Sequence, residues 1–304
     1  MKTAIINRYQ FKVNRGAETF VTELAKRFSE NHQVDILTKI NFTKKYDLII
    51  PTNGRFQVFT ARILTWLTGA KMIVSGQSGI GLDDRLNLYA FPDYFIGLSN
   101  YAVNWARKIN PFVRVVKIPN GVSLKDFKQQ GDTLLFDLPE PIVLCVSALV
   151  NWKRLDLVIK AVSKLKKGSL LLVGKGDQVK NLQKLGDKLL AHRFKIMNFA
   201  HRDMPKVYRS ADLFVFPTVP WESFGIAMVE AMASGLPVVA TDDPIRREIV
   251  GDAGLFVDPT DTNKFANTIE KALNTNWGEK PRKQAEKFSW DKIALEYEEL
   301  FKNI

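Results

Sequence analysis

Residues 213–241, LFVFPTVPWESFGIAMVEAMASGLPVVAT, contain the pattern that decides the fold. A short apolar run at 213–216 precedes a loop with two prolines, an apolar segment of helical spacing follows, and a Gly-Leu-Pro turn leads into a second apolar run at 238–241. Two short apolar runs joined by a helix predict parallel strands, because a parallel connection needs a crossover that is usually helical. The loop after the first strand is therefore expected at the carboxyl edge of a sheet.

The same alternation of short apolar runs and amphipathic segments continues through the chain in two series. The second series starts at PIVLCVSAL, residues 141–149, after a turn-rich linker that runs from Gly121 to about Pro139. This predicts an α/β fold of two Rossmann-like doubly wound domains facing an interdomain cleft. We assign residues 1–121 to the first domain and 122–286 to the second, and we expect the helix in 287–304 to pack back towards the first domain.

Composition restricts the class and the setting of the protein. The 304 residues are 46% hydrophobic and 25% charged, as in an ordinary globular protein. A single cysteine, Cys145, favours a reducing, cytoplasmic setting, and no apolar run approaches the roughly 18 residues that span a bilayer. Residues 1–122 hold 17 Lys and Arg against 8 Asp and Glu, so this half favours an anionic partner.

The start of the helix after residues 213–220 is a candidate ligand site. Helical periodicity begins just after Gly225, so free N–H groups and the positive end of the helix dipole point to a site for phosphate. Glu222 precedes this start and Glu230 lies about two turns along the helix; carboxylates of this kind bind sugar hydroxyls well. In the alternative interpretation Glu222 only caps the helix and Glu230 is a solvated helix residue.

Several segments carry a family resemblance. ESFGIAMVEAMASGLPVVAT (222–241) and REIVGDAGLFVDP (247–259) resemble the donor-binding signature of the family-four retaining glycosyltransferases of GT-B fold, also called glycosyl transferases group 1. VSALVNWKRLDLVIKAV (146–162) resembles the diphosphate-binding segment of that family, and VGKGD (173–177) its glycine turn. In the first half, residues 14–38 resemble the glycine-rich first loop with its helix, and residues 115–127 resemble the interdomain hinge.

The resemblance implies a role for each matching residue. Glu222 would contact the transferred sugar, Glu230 would bind the ribose hydroxyls, and Lys153 would bind the diphosphate. The remaining matching positions would contact the donor mainly through their backbone. Near the sugar and the phosphates these are Phe224, Gly225 and Ile226 at the helix start and Gly16 in the first loop. Near the base they are Gly174 in the glycine turn and Ala200 in the segment NFAH.

Three positions depart from the family pattern. Ala148 stands where an arginine is common, Arg15 precedes Gly16 where a second glycine is common, and Gln77 stands where a cleft histidine is common. We hypothesise that Arg15 or Arg154 supplies the missing charge for the phosphates. Gln77 can hydrogen-bond a sugar but cannot act as a base near neutral pH.

The resulting prediction is transfer of a hexosyl unit from a nucleoside-diphosphate sugar to a hydroxyl acceptor, which is a glycan, a lipid-linked sugar or a small molecule. The resemblance implies retention of configuration without a metal or a cofactor beyond the donor substrate. No Cys/His cluster suggests a metal site, and the pair Asp83–Asp84 favours a loop or acceptor role. The basic amphipathic stretch 55–67 suggests peripheral contact with an anionic membrane, although such a helix can simply pack on its own sheet.

Other function classes remain open at this stage. A non-catalytic homologue could bind nucleotide sugars or nucleic acid, although no basic patch with interleaved aromatic residues is evident and we expect no nucleic-acid partner. An epimerase or hydrolase on the same fold is a further alternative. A dehydrogenase is disfavoured, because no Gly-x-Gly-x-x-Gly motif follows the first strand.

Overall fold

A computed structural model describes residues 1–12, 16–52, 54 and 56–304. The chain divides into two compact units. Unit 1 comprises Met1–Gly121, Trp221–Gly225 and Phe288–Ile304, and unit 2 comprises Val122–Pro220 and Ile226–Lys287. The short segment 221–225, assigned above to the second domain, thus belongs to unit 1.

The described part of unit 1 contains a parallel six-stranded sheet of order β2-β1-β3-β4-β5-β6. Its strands are β1 (Lys2–Ile6), β2 (Gln33–Leu37), β3 (Leu48–Pro51), β4 (Lys71–Ser75), β5 (Tyr94–Gly97) and β6 (Val115–Lys117). The connecting helices are α1 (Gly16–Phe28), α2 (Phe56–Thr68), α3 (Leu82–Leu88) and α4 (Asn100–Ile109). Central strands such as β3 are buried along their whole length, as expected when helices cover both faces of a parallel sheet.

Unit 2 repeats this architecture with the sheet order β12-β11-β10-β7-β8-β9, also parallel. Its strands are β7 (Ile142–Val146), β8 (Ser169–Val173), β9 (Phe194–Met197), β10 (Leu213–Phe216), β11 (Val238–Thr241) and β12 (Gly254–Val257). Its helices are α5 (Leu155–Val162), α6 (Val179–Leu190), α7 (Met204–Arg209), α8 (Ile226–Ala233), α9 (Pro244–Val250), α10 (Thr262–Leu273) and α11 (Lys280–Ala285). The predicted pair of Rossmann-like parallel sheets is confirmed.

The last helix, α12 (Trp290–Phe301), belongs to unit 1 and packs on α1. The Trp290 ring lies 6.2 Å from the Phe20 ring, and Tyr297 lies 5.9 Å from Phe28, centroid to centroid. Gly121 faces the Trp290 indole so closely that an added Cβ would come within 2.7 Å of it. The aromatic side of α12 thus completes the core of unit 1.

Candidate functional site

Neighbouring strands of unit 2 bring several of the predicted donor-binding residues to one edge of the sheet. The strands β10, β7, β8 and β9 lie side by side and run in the same direction, so their carboxyl ends share an edge. The residues that follow these ends are Lys153 and Arg154 after β7, Gly174 after β8, Ala200 after β9 and the loop 217–220 after β10.

Lys153 ends a single 3₁₀ turn, Asn151–Lys153, that follows β7. Its Nζ lies 5.5 Å from the centroid of the Phe216 ring, at the end of β10. The half-buried ammonium group therefore lies at the carboxyl edge of two adjacent strands, where a cation can neutralise charge that develops on a leaving phosphate.

Arg154 has a left-handed backbone conformation, with φ of +52°, and its side chain turns to the loop after β10. Nε donates to the Pro217 carbonyl at 2.8 Å, and Nη2 donates to the Thr218 carbonyl at 2.6 Å and to Thr241 Oγ1 at 3.3 Å. Burial lowers the pKa of the guanidinium, against the opposing effect of Asp258. Most N–H groups of Arg154 thus hydrogen-bond to the loop after β10 and hold it in place. The hypothesised contact of Arg154 with the phosphates of the sugar nucleotide stays a prediction.

A second guanidinium, from Arg246 in α9, fixes the other half of the same loop. Arg246 is fully buried; its Nε pairs with Asp243 Oδ2 at 2.8 Å and its Nη2 donates to the Pro220 carbonyl at 2.8 Å. Asp243 also caps α9 by accepting from the N–H groups of Ile245 and Arg246. Arg246 belongs to none of the motifs found in the sequence, and the only local signal for it is the Asp-Asp-Pro sequence that opens α9.

Glu222 lies on the segment 221–225, which contacts other parts of unit 1. Ser223 Oγ donates to the Gly76 carbonyl at 2.7 Å, and Phe224 is buried with its ring 5.6 Å from that of Phe288. Gly225 has φ of +86°, a conformation that favours glycine, and α8 begins at the next residue, Ile226. The segment therefore enters the helix through a turn that leaves the first helical N–H groups without partners within the helix.

Glu230 is buried in α8, so its alternative interpretation as a solvated helix residue is wrong. Tyr208, in α7, donates its hydroxyl to Glu230 Oε2 at 2.7 Å. Burial, followed by the nearby Glu230 carboxylate, raises the pKa of Tyr208 well above its ordinary value, so the hydroxyl remains a donor. Tyr208 thus orients one oxygen of Glu230, a partner that no motif in the sequence indicates.

The glycine turn after β8 allows the backbone that follows β8 to pack closely against the backbone that follows β7. Gly174 has φ of +150°, and a Cβ at Gly174 or Gly176 would overlap the carbonyl oxygen of Ser147 or Leu149, respectively. Ala148, the position of the missing arginine, is half-buried in the same exit of β7. Ala200 is exposed after β9, where the neighbouring His201 ring lies 5.8 Å from Phe127.

In unit 1, Gly16 is exposed at the first position of α1, whereas Arg15 lies outside the described residues. Gln77 exchanges two hydrogen bonds with the buried Asn120, each 2.9 Å long. Asp84 is buried and accepts from Asn87 Nδ2 at 2.9 Å. Among the described residues, no group of three or more His, Cys, Asp or Glu side chains is placed to hold a metal ion.

Comparison with known proteins places this geometry in a family. Residues 126–289 match the family model described as Glycosyl transferases group 1. An uncharacterized glycosyltransferase of Methanocaldococcus jannaschii is 32% identical over 177 residues, 54% of this chain and 45% of that protein. A phosphatidyl-myo-inositol mannosyltransferase of Mycolicibacterium smegmatis is 27% identical over 209 residues, 62% of this chain and 52% of that protein. The chain spans about half the length of these two relatives.

The same architecture occurs in solved structures. The crystal structure of Anabaena HepE in complex with UDP-glucose matches with a TM-score of 0.83 at 20% identity, covering 100% of both chains. At this identity the likeness establishes the fold, and the predicted GT-B class is confirmed.

Proposed function

The chain belongs to the glycosyl transferases group 1 family, and on that premise we propose that it transfers a hexosyl unit from a nucleoside-diphosphate sugar to a hydroxyl acceptor, with retention of configuration. The observation that carries the proposal is the carboxyl edge of the unit 2 sheet, where Lys153 follows β7 and the loop before Glu222 follows β10. Ligands of open α/β sheets bind at this edge.

In the proposed reaction the bond between the anomeric carbon and the diphosphate oxygen breaks, and the electron pair leaves with the diphosphate. The Lys153 ammonium and the N-terminal amides at Phe224, Gly225 and Ile226 stabilise the negative charge on the leaving group. The acceptor hydroxyl attacks the oxocarbenium-like sugar from the face that the diphosphate leaves, and a phosphate oxygen takes the hydroxyl proton. This route retains configuration and needs no protein side chain to take the proton of the acceptor hydroxyl.

The two glutamates act as ligands of the donor rather than as an acid–base pair. Glu222 orients the sugar hydroxyls, and Glu230, held by Tyr208, binds the ribose hydroxyls. Gly16, Gly174 and Ala200 supply backbone contacts to the diphosphate and the base. This division of roles predicts that substitution of Glu222 impairs turnover more than nucleotide binding, whereas substitution of Glu230 impairs binding first.

A donor screen tests the proposal. The wild-type protein is incubated with UDP-glucose, UDP-GlcNAc or GDP-mannose, with and without glycan and lipid-linked acceptors, and released nucleoside diphosphate is measured. We expect release that depends on an acceptor and is abolished by Glu222→Gln. Retained turnover in Glu222→Gln would contradict the role of this residue, and NMR of the anomeric proton of the product tests retention.

We further propose that unit 1 binds the surface of an anionic membrane through α2. Five large apolar side chains recur along one side of this helix and are exposed: Phe56, Phe59, Ile63, Trp66 and Leu67. The buried side chains of α2 lie on its opposite side, so the apolar stripe is not needed for packing on the sheet. No helix among the described residues is long and apolar enough to cross a membrane, so this contact would be peripheral.

Charge near the stripe favours an anionic rather than a neutral surface. The Arg62 guanidinium lies 5.4 Å from the Trp66 ring centroid, and Lys71 follows at the start of β4. Both cations share Asp93 as an ion-pair partner, so one positive charge remains in excess. Together with the basic composition of residues 1–122, this arrangement fits the interface of a membrane that contains anionic lipid.

Co-sedimentation with vesicles tests this contact. We expect binding to vesicles that contain phosphatidylglycerol and weak binding to pure phosphatidylcholine, and loss of binding in the double variant Trp66→Ser/Leu67→Ser. The matched control is Leu295→Ser, which removes an exposed leucine from α12. Equal binding to both vesicle types, or equal losses in the variant and the control, would refute the membrane proposal without affecting the donor chemistry.

A further inference from the structure

We propose that the loop over residues 76–79, which follows β4 in unit 1, is a positioning element for Glu222. The proposal rests on the proposed function, since it concerns the carboxylate that would orient the transferred sugar. The loop contacts the backbone on both sides of Glu222 and is itself fixed to the unit 1 sheet. Its residues would thus act on the reaction through Glu222 and need not touch the donor.

The first observation is the contact between the loop and the segment 221–225. Gly79 has φ of +85°, and a Cβ at this position would overlap the carbonyl oxygen of Trp221 and lie 3.1 Å from the backbone nitrogen of Ser223. Ser223 Oγ donates to the Gly76 carbonyl at 2.7 Å. Glu222 therefore lies between two backbone positions that the loop holds, one by close packing and one by a hydrogen bond.

The second observation is the fixation of the loop to neighbouring elements. The Gly76 N–H donates to the Ile96 carbonyl of β5 at 2.9 Å. The Gln77 side chain exchanges its pair of 2.9 Å hydrogen bonds with Asn120 and also donates to Ser75 Oγ at 2.9 Å. The position of the missing histidine is thus occupied by a side chain that fastens the loop to the residues after β6.

The third observation concerns the buried Asp84, which the proposed chemistry does not use. Asn87 Nδ2 donates to Asp84 Oδ1 at 2.9 Å, and the backbone N–H groups of Ser78 and Gly79 lie near enough to the carboxyl group to lower its pKa. Asp84 lies in the first turn of α3, so it ties the far end of the loop to that helix. Three separate elements, β5, the residues after β6, and α3, therefore fix the four residues that support Glu222.

This arrangement should determine the rate of the chemical step rather than the affinity for nucleotide. A side chain that orients a sugar is effective only when it is held close to the geometry that the reaction requires. A misplacement of about 1 Å can reduce the rate by roughly 100-fold. Lys153, Gly174 and Glu230, which would hold most of the nucleotide, belong to unit 2 and lie outside the segment 221–225. Displacement of this segment, which carries Glu222 together with the amides of Phe224 and Gly225, should therefore lower kcat far more than it weakens nucleotide binding.

The decisive variant is Gly79→Ala, with Gly81→Ala as its matched control. Both substitutions add one methyl group to the same loop region, but a Cβ at Gly81 meets nothing within 4 Å and the Gly81 φ of −137° suits alanine. We expect Gly79→Ala to lower kcat for the active donor by about 100-fold. Its Kd for UDP or GDP, measured by titration calorimetry, should stay within about threefold of wild type, while Gly81→Ala keeps the wild-type kcat.

Ser223 provides an independent test in case Gly79→Ala does not fold. We expect Ser223→Ala to lower kcat at unchanged nucleotide affinity and Ser223→Thr, which keeps the hydroxyl donor to Gly76, to restore most of it. Wild-type kcat in Ser223→Ala, or equal losses in the alanine and threonine variants, would overturn the proposal. If these variants keep full turnover while Glu222→Gln is inactive, the positioning proposal fails and the proposed function stands. Absence of donor turnover in the wild type would instead count against the proposed function.

Discussion

Replacement of Asp84 by asparagine should stabilise the protein at neutral pH and remove a specific pH dependence. Burial raises the pKa of this carboxyl group from 3.8 to about 8, more than its hydrogen bonds from Asn87 and the loop lower it. In the unfolded chain the group ionises near its ordinary pKa. Between these two values the folded protein therefore binds one more proton than the unfolded chain, and stability falls as pH rises.

The magnitude follows from the size of the shift. Each pH unit between the two pKa values costs about 1.4 kcal/mol of unfolding free energy, so the cost at pH 7 amounts to about 4 kcal/mol. This stability is fully present below pH 3.8 and is lost by the time the pH passes about 8. The asparagine variant keeps an oxygen acceptor for the loop N–H groups and has no such cost.

Urea denaturation of the wild type and the Asp84→Asn variant between pH 5 and 7.5, followed by tryptophan fluorescence, measures the effect. The difference in unfolding free energy between the two proteins should grow by roughly 3 kcal/mol over this range. The control for the removal of a carboxylate is Asp252→Asn, because Asp252 is exposed. Parallel stability curves for the wild type and Asp84→Asn would refute the reasoning.

Three further predictions concern buried groups of unit 2. Tyr208→Phe removes the hydroxyl that donates to Glu230 and should lower the unfolding free energy by about 1–3 kcal/mol in denaturant titration. Arg246→Met leaves Asp243 without its buried partner and should cost about 3–5 kcal/mol by the same measurement, part of which the double variant with Asp243→Asn should restore. Burial raises the pKa of Cys145 to about 12, so a thiol reagent at pH 8 should react with the unfolded protein only; rapid reaction in the native state would contradict this.

The fold could be predicted from the sequence because its signals are local. Continuous apolar runs such as residues 169–173 and 238–241 became fully buried strands, since a parallel sheet covered on both faces leaves little room for polar residues. The helix α3 was not identified, because seven residues give less than two full turns in which to read a periodicity. The segment 221–225 was assigned to the wrong unit for a different reason: its contacts are with residues that are distant in the sequence.

The candidate site divides along the same line. The glutamates, Lys153 and the glycine turn occur in contiguous motifs, so their resemblance to a family was readable. The contacts around these residues could not be predicted, because they join residues that are far apart in the sequence. Ser223, next to Glu222, hydrogen-bonds Gly76 across 147 residues, and Tyr208 hydrogen-bonds Glu230 across 22 residues. Arg154 is a further example: its charge and position in the sequence suggest a phosphate ligand, whereas its hydrogen bonds go to protein carbonyl and hydroxyl oxygens.

The chain passes between its two units four times, at residues 121/122, 220/221, 225/226 and 287/288. This has a consequence for recombination between relatives. A chimaera that joins the first half of one enzyme to the second half of another at the linker inherits 221–225 from the wrong parent and α12 from the wrong parent as well. The segment 221–225 and the helix α12 must instead come from the same parent as residues 1–121. The contacts of Gly79 with Trp221 and of Gly121 with Trp290 are then kept within one parent sequence. Replacement of unit 2 of this chain by that of a relative therefore calls for a discontinuous graft with four junctions.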